Sequence, residues 1–231
     1  MEVVTINVGL ISWSLFWLVY WTAGGILTWR AHVDKVREIT HLKEVIAVLL
    51  INMLWSFFSI VLLCLLPLRV GDYHVILKCI FTYLLADIWF YHIHVFAHHP
   101  QIYQWVHKMH HKFTKPYALT ALYCTGYETV VVNCFSVGLG PIIFQLPPPY
   151  IYIWFVLVSL NTVASHSGYT FSIFIDKSHE IHHAEFNYNY SFNYWLDKLY
   201  GTYRHMGEAQ EESVLVSEKK NVVSPFEEKM E

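Results

Sequence analysis

The sequence predicts an all-α fold, a polytopic membrane helical bundle with a histidine-rich metal-binding cap on its cytosolic side. Three observations carry that expectation. Of 231 residues, 55% are hydrophobic and only 14% charged, an apolar excess that points to lipid surroundings. Several uncharged stretches approach the roughly 20 residues needed to cross a bilayer. The 15 histidines gather in sets at helical spacing.

The net charge of −3 with histidine neutral offers nothing to attract nucleic acid. Cys64, Cys79, Cys124 and Cys134 sit in apolar segments with no CxxC pair. They read as small buried hydrophobes rather than a disulfide framework or a zinc knuckle.

The first span is Gly9 to Trp29, which carries no charge. A signal peptide is the rival reading, but the segment is too long for an h-region. Glu2 is the only charge before it, and basic residues follow it. The second span is Val45 to Leu66, stopped by Pro67, and the third is Val75 to Phe96, whose last turns carry Asp87, His92 and His94. Thr129 to Leu146, the triplet Pro147-Pro148-Pro149 and Tyr150 to Ala164 predict a hairpin. Its arms are short for upright spans, which fits a tilted or partial insertion. The segment 206–231 is polar and Glu-rich, with no apolar period, and reads as a disordered tail.

Basic residues set the expected orientation. With the N-terminus lumenal and three crossings, Arg30, Lys35, Arg37 and Lys43 fall on the cytosolic side. So do Lys108, Lys112, Lys115, Lys177, Lys198 and Arg204, leaving Arg69 and Lys78 lumenal. This places every histidine cluster on one cytosolic face. Asn189-Tyr190-Ser191 matches a glycosylation acceptor, which on this topology stays unmodified.

The clusters are His94-x-x-x-His98 followed by His99, His107-x-x-His110-His111, and His179-x-x-His182-His183. Residues three and four apart share a helix face. Each set is therefore expected to project two or three imidazoles toward one point. Neutral imidazole suits iron, zinc and copper. Eight such ligands exceed the needs of one tetrahedral ion and fit two. A lone histidine near a membrane end is ordinarily an interfacial polar group, which is how His32, His41, His74 and His205 read. Buried unpaired imidazoles cost free energy, so eight of them at helical spacing are read as ligands.

Asp87, Tyr91, His94 and His98 share one helical face. Asp87 is placed to accept a hydrogen bond from a ligand imidazole and fix its tautomer; the bland alternative is an aspartate neutralised by a polar neighbour. His166, before Gly168 at the end of the hairpin, is a ninth candidate ligand set against a capping role.

The string Asp87-x-x-Phe90-Tyr91-x-x-His94-x-x-x-His98-His99, with Tyr103 and then His107-x-x-His110-His111, resembles the membrane fatty acid hydroxylase superfamily. That family includes sterol desaturases, 4-methylsterol oxidases and sphingolipid fatty acid hydroxylases. His166-Ser167-Gly168-Tyr169, His179-x-x-His182-His183, Phe186, Asn189-Tyr190 and Trp195 to Thr202 agree with it in order.

The resemblance covers about Asp87 to Arg204. It divides the chain into N-terminal transmembrane helices with a cytosolic loop (1–74), a fatty acid hydroxylase-like domain (75–205) and the tail (206–231). It implies an O₂-dependent di-iron lipid oxidoreductase of the endoplasmic reticulum, although zinc could occupy the same nitrogens in a recombinant sample. The electron donor would be a separate b-type cytochrome or an NAD(P)H-dependent reductase. A sterol is the first substrate expected, with hydroxylation and desaturation both open, and a fatty acyl or sphingolipid chain is the alternative.

The stretch Leu122 to Glu128 departs from the family pattern, with Thr125 where relatives carry a histidine. Either that position is left to water or to another histidine, such as His99 or His92, or one metal binds weakly. His99 and Asn189 are further candidate ligands, and Tyr91 and Glu128 join Asp87 as residues expected behind the ligands.

Three competing functions remain at this point. His179-Glu180-x-x-His183 matches the HExxH zinc-protease pattern, though it leaves the histidines between 94 and 111 without a role. Bis-histidine haem for electron transfer needs two ligands per group across helices, not runs at one rim. The third is a degenerate relative that binds lipid without catalysis, for which Thr125 is the best support.

Overall fold

The computed structural model describes residues 6–65, 73–171 and 178–205. Pro67, Arg69, Lys177 and the expected disordered tail lie outside these residues. The described chain is all helical: α1 (Ile6–Val33), α2 (Leu42–Cys64), α3 (Val75–Ala97), α4 (Pro100–Val106), α5 (Gly126–Glu128), α6 (Phe135–Ile143), α7 (Pro148–Ser165), α8 (Ser178–Glu185) and α9 (Trp195–Tyr200). Two 3₁₀ turns, His110–Lys112 and Ala118–Leu122, precede α5, and a π-helix, Thr129–Cys134, joins α5 to α6.

Four stretches are long and apolar enough to cross a membrane: α1, α2, α3 and the continuous helix Gly126–Ile143. The three expected spans and the first hairpin arm thus appear as helices. The second arm forms α7, but α7 is not among the four. Large apolar side chains such as Leu18, Ile26, Leu54, Phe58, Leu62 and Ile76 face outward, as in helices whose surroundings are hydrocarbon. All four cysteines are free.

The core sits where α1, α2 and α7 meet the segment between Phe113 and Cys124. That segment is buried without being a span. Its backbone groups, which lipid or side-chain packing would strand, find partners on the surrounding helices. The Tyr20 hydroxyl donates to the Leu119 carbonyl and accepts from the Leu122 amide, both at 3.0 Å. Thr28 Oγ1 accepts the Leu119 amide at 3.2 Å. Asn52 Nδ2 donates to the carbonyls of Leu122 and Cys124, each at 3.0 Å.

A second tie joins the loop after α1 to α8. The Arg37 guanidinium is paired with Glu180 and donates to the Pro116 carbonyl at 2.8 Å. Gly168, with φ +83°, lies against that guanidinium, and a Cβ there would fall 2.6 Å from Arg37 Cζ. Glycine suits the position on both counts.

Candidate metal centre

Nine imidazoles converge at one end of the bundle, in two groups. His94, His98, His107, His111 and His182 form the first, and His110, His166, His179 and His183 the second. Within each group one nitrogen per residue lies within 4.8 Å of every other. His98 is half-buried and the other eight are buried.

Helix geometry accounts for part of the division. At about 100° per residue, positions four apart diverge by about 40° and positions three apart by about 60° to the other side. The i,i+4 pair His94/His98 at the end of α3 therefore enters one group and His179/His183 on α8 the other, while His107 and His111 share a group from the turn that ends in the 3₁₀ segment His110–Lys112. The histidine at i+3 in each HxxHH set, His110 or His182, crosses to the opposite group. The expectation that each set aims all its rings at one point is thereby corrected, because the second and third sets straddle both groups. His166 closes the smaller group, with Nε2 3.2 Å from His179 Nε2 and 3.5 Å from His110 Nε2.

Hydrogen bonds on the far side of the rings fix their tautomers. His94 Nδ1–H donates to the Tyr190 carbonyl at 2.8 Å, His182 Nδ1–H to Tyr188 at 2.7 Å, and His166 Nδ1–H to Thr162 at 3.1 Å. His107 Nδ1 meets Glu128 Oε1 at 2.9 Å. Each of these rings therefore presents a lone pair at Nε2. Yet the Nε2 atoms of His94 and His107 stand 3.0 Å apart, and two facing lone pairs repel unless a cation lies between them. The opposite corners of a coordination sphere with bonds of about 2.1 Å are about 4.2 Å apart, close to the span of each group. Both ring nitrogens of His183 are buried without a hydrogen-bond partner. The donor set thus fits two cations that favour nitrogen.

Burial first, and repulsion from neighbouring imidazoles second, depress basicity outside the spans. His98 is held down to about 2 and His111 to about 3. His107, His110, His179, His182 and His183 lie well below the usual range for the same reasons. Burial lowers His166 to about 4 against the opposing hydrogen bond to Thr162. These rings are neutral, as ligation requires.

Several expected residues stand elsewhere. His99 is exposed at the N-cap of α4, where its Nδ1 accepts the Gln101 amide, so it joins neither group. Asn189 is buried in a left-handed conformation (φ 58°) and its amide is fully engaged. Nδ2 donates to the Ser178 and Arg204 carbonyls and Oδ1 accepts the Arg204 amide, each at 2.9 Å. It offers no ligand atom.

Asp87 does not reach an imidazole. Its Oδ1 accepts the Phe192 amide at 2.8 Å, tying α3 to the loop before α9. The Tyr91 hydroxyl meets Thr202 Oγ1 at 3.1 Å and its ring stacks on Tyr200. His92 turns away from both groups toward the Ile88 carbonyl. Thr125 caps α5: its hydroxyl donates to the Val106 carbonyl at 3.0 Å and accepts the Glu128 amide at 3.2 Å. Glu180, the base of an HExxH reading, is held by Arg37.

The sequence reading missed Asp197. Its buried carboxylate accepts the amides of Tyr190 and Ser191 and the hydroxyls of Ser191 and Thr202, at 2.5–2.9 Å. It thereby fixes the carbonyl that orients His94. An aspartate inside the apolar run Trp195-Leu196-Asp197-Lys198-Leu199-Tyr200 was the available signal.

Fold and site together define an all-helical protein with four membrane-length apolar stretches and a double histidine centre. The chain belongs to the fatty acid hydroxylase family, whose model matches residues 79–202. It is 36% identical over 124 residues to fatty acid hydroxylase domain-containing protein 2 of Homo sapiens, covering 53% of this chain and 37% of that protein. It is 28% identical over 140 residues to methylsterol monooxygenase 1 of Gallus gallus, covering 56% and 47% of the two chains. The corresponding protein of Danio rerio is 30% identical over 136 residues, covering 54% and 46%. The matched region thus spans less than half the length of these relatives. No solved structure matches the chain.

Proposed function

We propose that the chain is a multi-pass membrane oxidoreductase that uses O₂ to oxidise a lipid C–H bond, with a 4-methylsterol-like substrate first and a fatty acyl or sphingolipid chain second. The observation that carries this reading is the pair of neutral imidazole groups, five and four strong, beside an apolar cavity. One iron would be held by His94, His98, His107, His111 and His182, and the other by His110, His166, His179 and His183. A nitrogen-ligated iron pair supplies oxygen activation when bound.

The chain's own residues do the rest. Glu128 and the carbonyls of Tyr190, Tyr188 and Thr162 hold their histidines in the ligating tautomer. The cavity lined by Trp17, Ile60, Val137 and Phe155 takes hydrocarbon and excludes water. The basic residues around α1 and the histidines favour a cytosolic placement of the site, and the family resemblance implies the endoplasmic reticulum membrane. A b-type cytochrome or an NAD(P)H-dependent reductase would then deliver electrons.

The family membership and the methylsterol monooxygenase relatives support the same direction. The protease reading loses its base to Arg37, and a non-catalytic role for Thr125 follows from its capping bonds rather than from a missing ligand.

The test is lipidomics of cells with and without the protein, with His110→Ala and His182→Ala controls. A product that is oxygen-dependent and absent from the knockout and both variants is expected. Unchanged lipid profiles, or a product that persists in both variants, would sink the proposal.

A further inference from the structure

Three cavities run end to end through the bundle. The middle one, about 700 Å³, lies between α1, α2, the π-helix, α6 and α7. It shares Asn133, Thr162 and Phe192 with a chamber of about 600 Å³ under the histidines. At its other end it shares Ile60, Leu63 and Phe155 with a cavity of about 380 Å³ that reaches Gly9, Ser12 and Cys64. From Asn161 to Ile151 this path follows about 15 Å of α7, at 1.5 Å per residue.

The polar groups along the path divide by position. In the middle cavity the hydroxyl groups are engaged within the protein, and Asn133 stands at its junction with the histidine chamber. Ser56 Oγ accepts from Trp13 and Trp17 and donates to the Met53 carbonyl. Ser136 donates to the Asn133 carbonyl, Thr129 to the Thr125 carbonyl and Thr162 to the Val158 carbonyl.

In the histidine chamber, where His110 Nδ1 is itself unpaired, three side chains besides the imidazoles are not fully engaged. Glu128 is only 2% exposed, and its Oε2 has no hydrogen-bond partner. Asn133, carried on the π-helix, uses only its Nδ2, in long contacts to Glu128 O (3.4 Å) and Cys124 Sγ (3.8 Å). The Asn161 side chain lines the chamber and makes no hydrogen bond to another described residue. Pure hydrocarbon in that chamber would leave all three facing it unpaired.

We infer that the cavities bind a lipid alcohol in one orientation, with its hydroxyl in the histidine chamber against Asn161, Asn133 and Glu128. Its hydrocarbon body would then lie along the apolar path toward Ser12 and Cys64. This rests on the lipid-oxidising reading above and narrows it, since the carbon presented to the histidines then lies a few bonds from the hydroxyl. The amide of Asn161 donates to the hydroxyl oxygen, and the hydroxyl O–H donates a hydrogen bond to the free oxygen of Glu128 or to Asn133 Oδ1. A site built to pair a hydroxyl discriminates strongly against the analogue lacking it. A sterol and a straight-chain alcohol present the same chemistry here.

The test is equilibrium binding to the purified, metal-loaded full chain in lipid nanodiscs. The probes are two tritiated pairs, cholestanol with its 3-deoxy counterpart cholestane and octadecanol with octadecane. In the wild type, the alcohol of at least one pair is expected to bind about 30-fold or more tighter than its deoxy twin. The pair that shows the preference identifies the source. In Asn161→Leu the preference should fall to about threefold or less, with deoxy binding retained as the sign of a folded cavity. Asn161→Ala serves if the leucine variant loses deoxy binding.

Equal binding of both members of both pairs to the wild type overturns the inference and leaves lipid oxidation standing. So does a hydroxyl preference that survives both Asn161→Ala and Asn133→Leu. Failure of all four probes to bind overturns the inference and the lipid reading together.

Discussion

At the residue scale the centre depends on groups one layer behind the imidazoles. Glu128→Gln keeps an acceptor for His107 but replaces the carboxyl group that orients the ring with an amide. Loss of such a partner lowers metal affinity by about 10–100-fold, so bound metal per chain should fall under chelator competition while the fold is retained. Asp197→Ala is harsher, because four donors from Tyr190, Ser191 and Thr202 lose a buried acceptor. A destabilisation of about 3 kcal/mol or more is expected, with metal loss, read by thermal unfolding in detergent and by elemental analysis. His99→Ala supplies the contrast. His99 is exposed and serves only as a helix cap, so bound metal should match the wild type. A fall comparable to that of His182→Ala would show that the grouping of the nine rings is wrong.

At the element scale the sequence was most informative where the geometry is local. The three histidine sets were legible because spacings of three and four place side chains on adjoining helix faces whatever the rest of the chain does. Which ring joins which group was not, because that depends on how α3, α7 and α8 are set against the turn at His110. Asp87 and Asn189 bond away from the imidazoles for a related reason. Both are polar and lie near histidines in the chain, but their partners are backbone groups of loops between 178 and 204.

The segment Phe113 to Cys124 was invisible as an element. It has no helical or alternating period, and it is held by Tyr20, Thr28 and Asn52 from far along the chain. These polar residues within spans carried no role in the sequence reading. Asn52→Leu should strand the carbonyls of Leu122 and Cys124 at a cost of about 2–4 kcal/mol, seen as a lower unfolding temperature. The clamp between Arg37 and Glu180 makes a parallel case. Gly168→Ala would push Arg37 aside and strain a positive-φ position, so a loss of about 1–3 kcal/mol is expected. Arg37→Ala, which leaves Glu180 largely buried and unpaired, should cost about 3 kcal/mol or more.

At the scale of the whole molecule, the apolar composition, the uncharged stretches of membrane length and the helical spacing of the histidines together pointed to the all-helical class, and four membrane-length stretches are present. The direction of crossing rests on charge. Among the described basic residues, Arg30, Lys35, Arg37 and Lys43 lie at or after the end of α1, Lys108 lies within the second histidine set and Lys112 and Lys115 follow it, while Lys78 stands alone near the start of α3. In the orientation this charge pattern predicts, the loop between α2 and α3 would be lumenal, and the loop after α1 would share the cytosol with the histidines. An N-glycosylation acceptor in a flexible insert between α2 and α3 should therefore be modified, and the same insert between α1 and α2 should not. The natural acceptor at Asn189 should be unmodified too, for a second reason: its amide is buried and bonded to Ser178, and to Arg204 on both sides. Endoglycosidase-sensitive mass shifts read all three sites. Modification of the α1–α2 insert alone would invert the topology and put the histidines, with whatever donor serves them, on the lumenal side.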